Sequence, residues 1–196
     1  MKVALASNNP NKLREMKAIL EPLGWEIFTM KELGVHVEPE ENGLTFEENS
    51  KIKAVAVMEA TGLPAIADDS GIEVDALDGA PGVYSARYGG EACPDDKARN
   101  QFLLKNMEAV PDEKRTGRFV SVITMASPDG RVVSARGELE GQILRQEKGD
   151  GGFGYDPLFY IPTEDCTMAE LSSERKNEIS HRAAALGKFV DKIKNN

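Results

Sequence analysis

Cysteine is nearly absent from this 196-residue chain, occurring only as Cys93 and Cys166, far apart and without metal-ligand spacing. The sequence therefore offers no disulfide framework and no zinc motif, and free thiols in a reducing compartment are expected. Histidine is as scarce, at His36 and His181 only. No cysteine or serine nucleophile stands beside a recognisable base, so covalent catalysis has no support. Hydrophobic runs are short, and none approaches the ~18 apolar residues of a membrane span. The apolar stretch after Met1-Lys2 gives way at Ser7-Asn8-Asn9, too soon for a secretory leader. Positive charge is in deficit: 24 Lys and Arg against 33 Asp and Glu give a net charge of −9. That balance argues against binding a nucleic acid polymer, which needs a basic face. A small anionic substrate remains open where local cations or a metal overcome the global field. A single cytoplasmic domain over residues 1–196, away from membranes, is expected; the length suffices for one core or two lobes sharing one.

What is present alternates between strand and helix signals. Val3 to Ala6 reads as a buried strand. Asn9 caps a helix starting at Pro10, whose stripe of Leu13, Met16, Ile19 and Leu23 ends at Gly24. Trp25 to Met30 is a second strand, and Thr45 with Glu48 forms a capping box for a helix running to Gly62. Ala65–Ala67 and Ile72–Leu77 read as two strands about a tight turn at Asp68-Asp69-Ser70-Gly71. Asp95 to Met107 is expected to be helical. Ser127-Pro128-Asp129-Gly130 joins Phe119–Ala126 to Arg131–Ala135 as a hairpin that Leu139–Leu144 extends. Leu158–Ile161 is a short strand, and a last helix covers His181 to Ile193. The pattern is α/β with a mixed sheet: early β-α-β, then hairpins.

The densest chemical signal is Gly151 to Pro157, GGFGYDP. Glycine lets a backbone approach a ligand closely, a ring such as Phe153 or Tyr155 can lie on a planar ligand, and Asp156 can accept from the ligand's edge. The same run also reads as a glycine-rich loop whose aromatics cap the core. Ser7-Asn8-Asn9-Pro10-Asn11-Lys12 joins a strand to a helix N-terminus, where free N–H groups and a lysine suit an anion; ordinary helix capping explains the asparagines equally well. Neighbouring Asp68 and Asp69 point oppositely, so one can face a cleft while the other orders the turn or a lysine. A carboxylate there suits Mg²⁺, with Glu40 as a second ligand; a self-stabilised Asp-Ser-Gly turn is the alternative. Of Lys51 and Lys53, one can reach the cleft. Ser85-Ala86-Arg87-Tyr88 is a weaker anion candidate, and Lys176 with Ser180-His181-Arg182 closes the set.

Taken together, these segments resemble the inosine/xanthosine triphosphate pyrophosphatase family, which hydrolyses noncanonical purine nucleoside triphosphates. The resemblance runs in one order through Ser7-x-Asn9-x-x-Lys12, Leu44-Thr45-Phe46-x-Glu48-Asn49, Ala67 to Gly71, Gly82-x-Tyr84-Ser85-Ala86-Arg87-Tyr88, Gly151 to Pro157 and Ser180-His181-Arg182. Asn8 and Asn11 fill variable positions of the first motif. The resemblance implies an elongated two-lobed α/β fold around a long twisted mixed sheet with flanking helices and an active cleft between the lobes. It implies a homodimer, Mg²⁺, and cleavage of ITP, dITP or XTP to monophosphate and pyrophosphate. By it Asp69 is the catalytic carboxylate and a metal contact, with Glu40 at the same metal. The loop Ser7, Asn8, Asn9, Asn11 and Lys12, with Lys53, holds phosphates. Ser70, Phe153, Gly154, Tyr155, Asp156, Lys176, His181 and Arg182 surround the nucleotide, with His181, Arg182 or nearby backbone donating to the 6-oxo group. Two rivals remain: a septum-related nucleotide pyrophosphatase, whose start usually carries Ser-Pro-Arg-Arg where this chain has Asn9-Pro10-Asn11-Lys12, and a non-catalytic nucleotide sensor, which has no need of the acidic Asp68-Asp69 tip.

Overall fold

Seven strands and five α-helices make up the computed structural model, which describes residues 1–195. The strands are β1 (Lys2–Leu5), β2 (Glu26–Thr29), β3 (Ala65–Val74), β4 (Thr116–Ala126), β5 (Val132–Ile143), β6 (Phe159–Ile161) and β7 (Cys166–Thr167). They form one mixed sheet in the order β2-β1-β3-β4-β5-β6-β7. β1 runs parallel to both β2 and β3, while β6 is antiparallel to β5 and β7. The helices are α1 (Pro10–Leu20), α2 (Phe46–Thr61), α3 (Asp96–Asn106), α4 (Ser173–Ile179) and α5 (His181–Lys194). This is the α/β class with a mixed sheet expected from the sequence. No helix among the described residues is long and apolar enough to cross a membrane.

Contacts divide the chain into two compact units, residues 1–69, 121–137 and 180 onward in the first, 70–120 and 138–179 in the second. Each has its own core. In the first, Met16 and Leu20 of α1, Val3 and Leu5 of β1, and Leu186 and Phe189 of α5 pack with Ile66 and Ile123. Trp25 sets its ring edge-on to Phe189, centroids 6.0 Å apart. The second unit buries Leu103 of α3 and Met107 at that helix's C-cap with Phe119, Tyr155, Leu158 and Phe159.

Local signals read correctly where the partner groups are close in sequence. Asn9 caps α1 through Oδ1, which accepts from the Asn11 and Lys12 amides. Gly24 stops the chain after it at φ +80°. Thr45 and Glu48 make both halves of the capping box on α2.

Two expectations need correction. The turn at Asp68–Gly71 does not form; residues 65–74 are one continuous strand. Asp68, whose carboxylate would close such a turn, is held instead by side chains remote in sequence. Likewise the two strands expected at Arg131–Ala135 and Leu139–Leu144 are replaced by a single twelve-residue strand, Val132–Ile143, running through Gly137. A side chain at Gly137 would collide with the backbone at His181 and Ala185, so the glycine lets α5 lie directly on β5. That contact seats the first turn of α5, where His181 and Arg182 stand. α4 and β7 carried no signal that the sequence reading recognised.

Candidate active site

In the first unit, β3 presents Asp68 and Asp69 to opposite sides, as adjacent strand residues must. Asp68 is fully buried as a side chain and has three partners of known geometry. Lys12 Nζ lies 2.8 Å from Oδ2, Arg182 Nη2 donates to the same oxygen at 3.1 Å, and Ser121 Oγ donates to Oδ1 at 2.6 Å. Burial alone would push this carboxyl up. Arg182 and Lys12, aided by the Ser121 hydroxyl, outweigh it and hold Asp68 well below its ordinary 3.8. Arg182 in turn donates Nη1 to Glu15 on α1. Its guanidinium is thus directed at two carboxylates within a buried pocket.

Asp69 differs from its neighbour in every respect that matters chemically. Its Oδ1 accepts from Lys53 Nζ at 2.8 Å, and the same ammonium donates to Glu41 Oε2 at 3.0 Å. Its Oδ2 is buried with no hydrogen-bond partner among the described residues. Burial raises the Asp69 carboxyl above its ordinary value, and Lys53 offsets this only partly. Lys53 is pulled down by burial but raised more by Asp69, Glu41 and Asp68, so it stays an ammonium. Two ion-pair groups thus flank β3: Asp68 with Lys12, Arg182 and Glu15, and Asp69 with Lys53 and Glu41.

Of the predicted site residues, Lys12 and Arg182 meet at Asp68, and Lys53 meets Asp69. Asn9 is occupied as the helix cap, and Ser7 Oγ accepts from the Asn9 amide at 3.2 Å. Asn11 accepts from Arg14. Asn8 lines a separate hollow of about 450 Å³ with Met30, Lys31, Gly34, Val35 and His36. Glu40 is exposed, and its carboxylate pairs with no described residue; Glu41 is the loop acid beside Lys53. Sequence reasoning missed Glu41, Glu15 and Ser121. Glu15 had no usable signal, since its partner Arg182 is 167 residues away. Glu41 had none, because nothing in the run Glu38, Glu40, Glu41 distinguishes its members.

In the second unit, the Gly151–Pro157 loop is folded on itself. Asp156 Oδ2 accepts from the Phe153 amide at 3.1 Å and from Lys176 Nζ at 2.7 Å. Gly152, at φ +75°, leaves the space that this carboxylate and ammonium occupy. The reading of the loop's aromatics as caps on the core holds for one ring of the two. Tyr155 is buried in the core and donates its hydroxyl to the Ser85 carbonyl at 2.7 Å, while Phe153 stays partly exposed. The ring free to meet a ligand is therefore Phe153. Ser70 follows Asp69 directly on β3. In the first unit again, His181 is buried at the first position of α5, behind a cap in which Ser180 Oγ accepts from the Ala183 amide at 3.1 Å.

A mixed-sheet α/β chain with a buried lysine–aspartate pair and a glycine-rich aromatic loop has the makings of a nucleotide hydrolase. The Ham1 family model matches residues 3–192, and the chain belongs to that family. It is 52% identical to a dITP/XTP pyrophosphatase of Desulforamulus reducens over 97% of this chain and 94% of that protein. To the dITP/XTP pyrophosphatase of Thermus thermophilus it is 50% identical, over 99% and 92%. Among solved structures, a HAM1 protein from Coxiella burnetii superposes with a TM-score of 0.90 at 40% identity, covering 100% of both chains. The family resemblance stated from the motifs is thus borne out.

Proposed function

We infer that this protein hydrolyses noncanonical purine nucleoside triphosphates (ITP, dITP and XTP) to the monophosphate and pyrophosphate. The observation that carries the reading is Asp69: one oxygen fixed by Lys53, the other buried and unpartnered among the described residues, in a chain about half identical to dITP/XTP pyrophosphatases. Hydrolysis within a triphosphate depends on neutralising charge and placing a water in line. Lys12 and Lys53 are the cations for the phosphates, with the Ser7–Lys12 loop beside them. Asp69 Oδ2 orients the attacking water and accepts its proton, and the raised carboxyl makes it a better base than an ordinary aspartate.

A divalent cation fits this donor set, Mg²⁺ being the one the resemblance implies. Among the described residues no three acids, histidines or cysteines cluster as a complete cage. Mg²⁺ does not need one, being held by one or two carboxylates together with substrate phosphates. Asp69 would hold it, and Glu41, within 3.0 Å of the same ammonium, is better placed as the second carboxylate than exposed Glu40. When bound, the ion would offset phosphate charge and acidify water. Glu41→Gln should raise the Mg²⁺ concentration for half-maximal activity by about tenfold, the size of one lost charged contact, and Glu40→Gln should raise it less. Equal shifts, or the reverse order, measured by Mg²⁺ titration of the rate, would return the role to Glu40.

Base selection is assigned to Phe153 stacking on the purine, with Lys176 beside it in the second unit as a donor for the 6-oxo group. Asp156 braces the loop through the Phe153 amide and Lys176. Arg182, committed to Asp68 and Glu15, acts by holding Asp68. A site built on a hydrogen bond to the 6-oxo group can reject a 6-amino purine by ~10⁴-fold. Comparing kcat/KM for ITP, XTP, GTP and ATP, with Mg²⁺ and with EDTA, tests the reading. ITP and XTP should lead, and EDTA should abolish turnover; equal use of ATP would refute base selection. A homodimer belongs to the same proposal, supported by the family resemblance and checked by light scattering.

A further inference from the structure

Gly154 is held through both of its backbone groups by a single helix. Its N–H donates to Asp96 Oδ2 at 2.8 Å, and its carbonyl accepts from Asn100 Nδ2 at 3.2 Å. Asp96 and Asn100 lie four residues apart in α3 and so share one face. Asp96 is itself braced by Arg99, whose Nη2 donates to Oδ1 at 2.7 Å while Nη1 reaches the Cys93 carbonyl at 3.2 Å.

Asn100 is 2% exposed. Its amide nitrogen also donates to Glu147 Oε1 at 2.8 Å, so two acceptors fix which way the group faces. Its Oδ1 is buried with no hydrogen-bond partner among the described residues. Burying an unmatched carbonyl is unfavourable, which makes asparagine a poor choice for packing alone. Its donor function toward Gly154 and Glu147 is what an apolar residue could not supply.

Gly154 sits at φ +60°, in the left-handed region, immediately after Phe153. On its other side Tyr155 is anchored in the core. The direction of the Phe153 ring therefore depends on how the Gly154 backbone is oriented. We propose that Asp96 and Asn100 are positioning residues for base selection, clamping Gly154 so that the Phe153 ring is aimed at the purine. Neither residue touches the base. The inference rests on the reading of Phe153 as the stacking residue.

The test compares steady-state kinetics on ITP and ATP for the wild type, Phe153→Ala, Asp96→Ala, Asp96→Asn and Asn100→Ala, with a melting temperature for each. Phe153→Ala and Asp96→Ala should each raise KM for ITP about tenfold, leave kcat within about threefold, and shrink the ITP-to-ATP ratio of kcat/KM. Asp96→Asn keeps an oxygen acceptor for the Gly154 amide and should bring KM back to within about threefold of wild type, although its ion pair with Arg99 is lost. Asn100→Ala should move KM in the same direction as Asp96→Ala. Should Asn100→Ala fail to fold, the half-exposed Asp96 pair of variants decides alone. The clamp is refuted if Phe153→Ala shifts KM and the ratio while Asp96→Ala shifts neither. A loss common to ITP and ATP that simply follows the melting temperature would make the pair structural and also refute it. If Phe153→Ala itself changes nothing, the stacking assignment is what fails, and the clamp falls with it.

Discussion

At saturating Mg²⁺, Asp69→Asn is expected to lower kcat for ITP by about 10³-fold while leaving KM for ITP within about threefold, as loss of a general base should. Asparagine matches the aspartate in size and keeps an oxygen for Lys53, which retains Glu41 as a second partner. What it cannot do is accept a proton. The pH dependence should follow from the same group. Burial raises the Asp69 carboxyl above its ordinary 3.8, and only its deprotonated form serves as a base. Rate should therefore be lost as pH falls and Asp69 takes up a proton, and Asp69→Asn should flatten that acid limb. A kcat within tenfold of wild type, or an unchanged acid limb, would remove Asp69 from this role.

Arg182→Leu should produce the largest loss of stability of any single change near the site. Both members of the Arg182–Asp68 pair are almost fully buried as side chains. Removing one partner of a buried pair leaves the other charge short of compensation and costs about 3–5 kcal/mol. Lys12 and Ser121 remain with Asp68, so about 3 kcal/mol is the expectation, read as a shift in urea midpoint at constant m-value. The double variant Asp68→Leu/Arg182→Leu should lose less than the two single changes added together, because the charges left behind by each have gone. The pH dependence has a definite sign. Since the folded state depresses the Asp68 carboxyl, its contribution is fully present above the unfolded value of ~3.9 and is lost as pH falls through the lower folded value. Asp68→Asn should accordingly be destabilised relative to wild type at pH 7 and much less so in strong acid. A gap independent of pH would mean that Asp68 acts through packing and not through its charge.

These partnerships explain where the sequence was readable. The capping box of Thr45 and Glu48 and the Asn9 cap are made between residues two to four apart, and their composition announces them. The continuity of β3 could not be seen this way. Asp68-Asp69-Ser70-Gly71 has turn composition, and the partners that keep Asp68 in a strand, Ser121 and Arg182, are 53 and 114 residues away. The motifs did mark Lys12, Lys53, Asp69 and Arg182, which the fold sets in two ion-pair groups, one on Asp68 and one on Asp69. They could not tell Glu41 from Glu40, because the choice depends on which carboxylate the loop turns toward Lys53. Nor could they separate Phe153 from Tyr155. That difference lies in contacts remote in sequence: the Tyr155 ring packs with Leu103, Met107 and Phe119 and its hydroxyl meets the Ser85 carbonyl 70 residues away, while Phe153 stays partly exposed.

Hydrolysis of a triphosphate can release either pyrophosphate or orthophosphate, and the identity of the products tests the central claim most directly. Phosphorus NMR of ITP incubated with the protein and Mg²⁺ should show inosine monophosphate and pyrophosphate rising together in equal amounts, with no diphosphate intermediate. Appearance of inosine diphosphate and orthophosphate, or ITP that stays intact despite saturable binding, would contradict it.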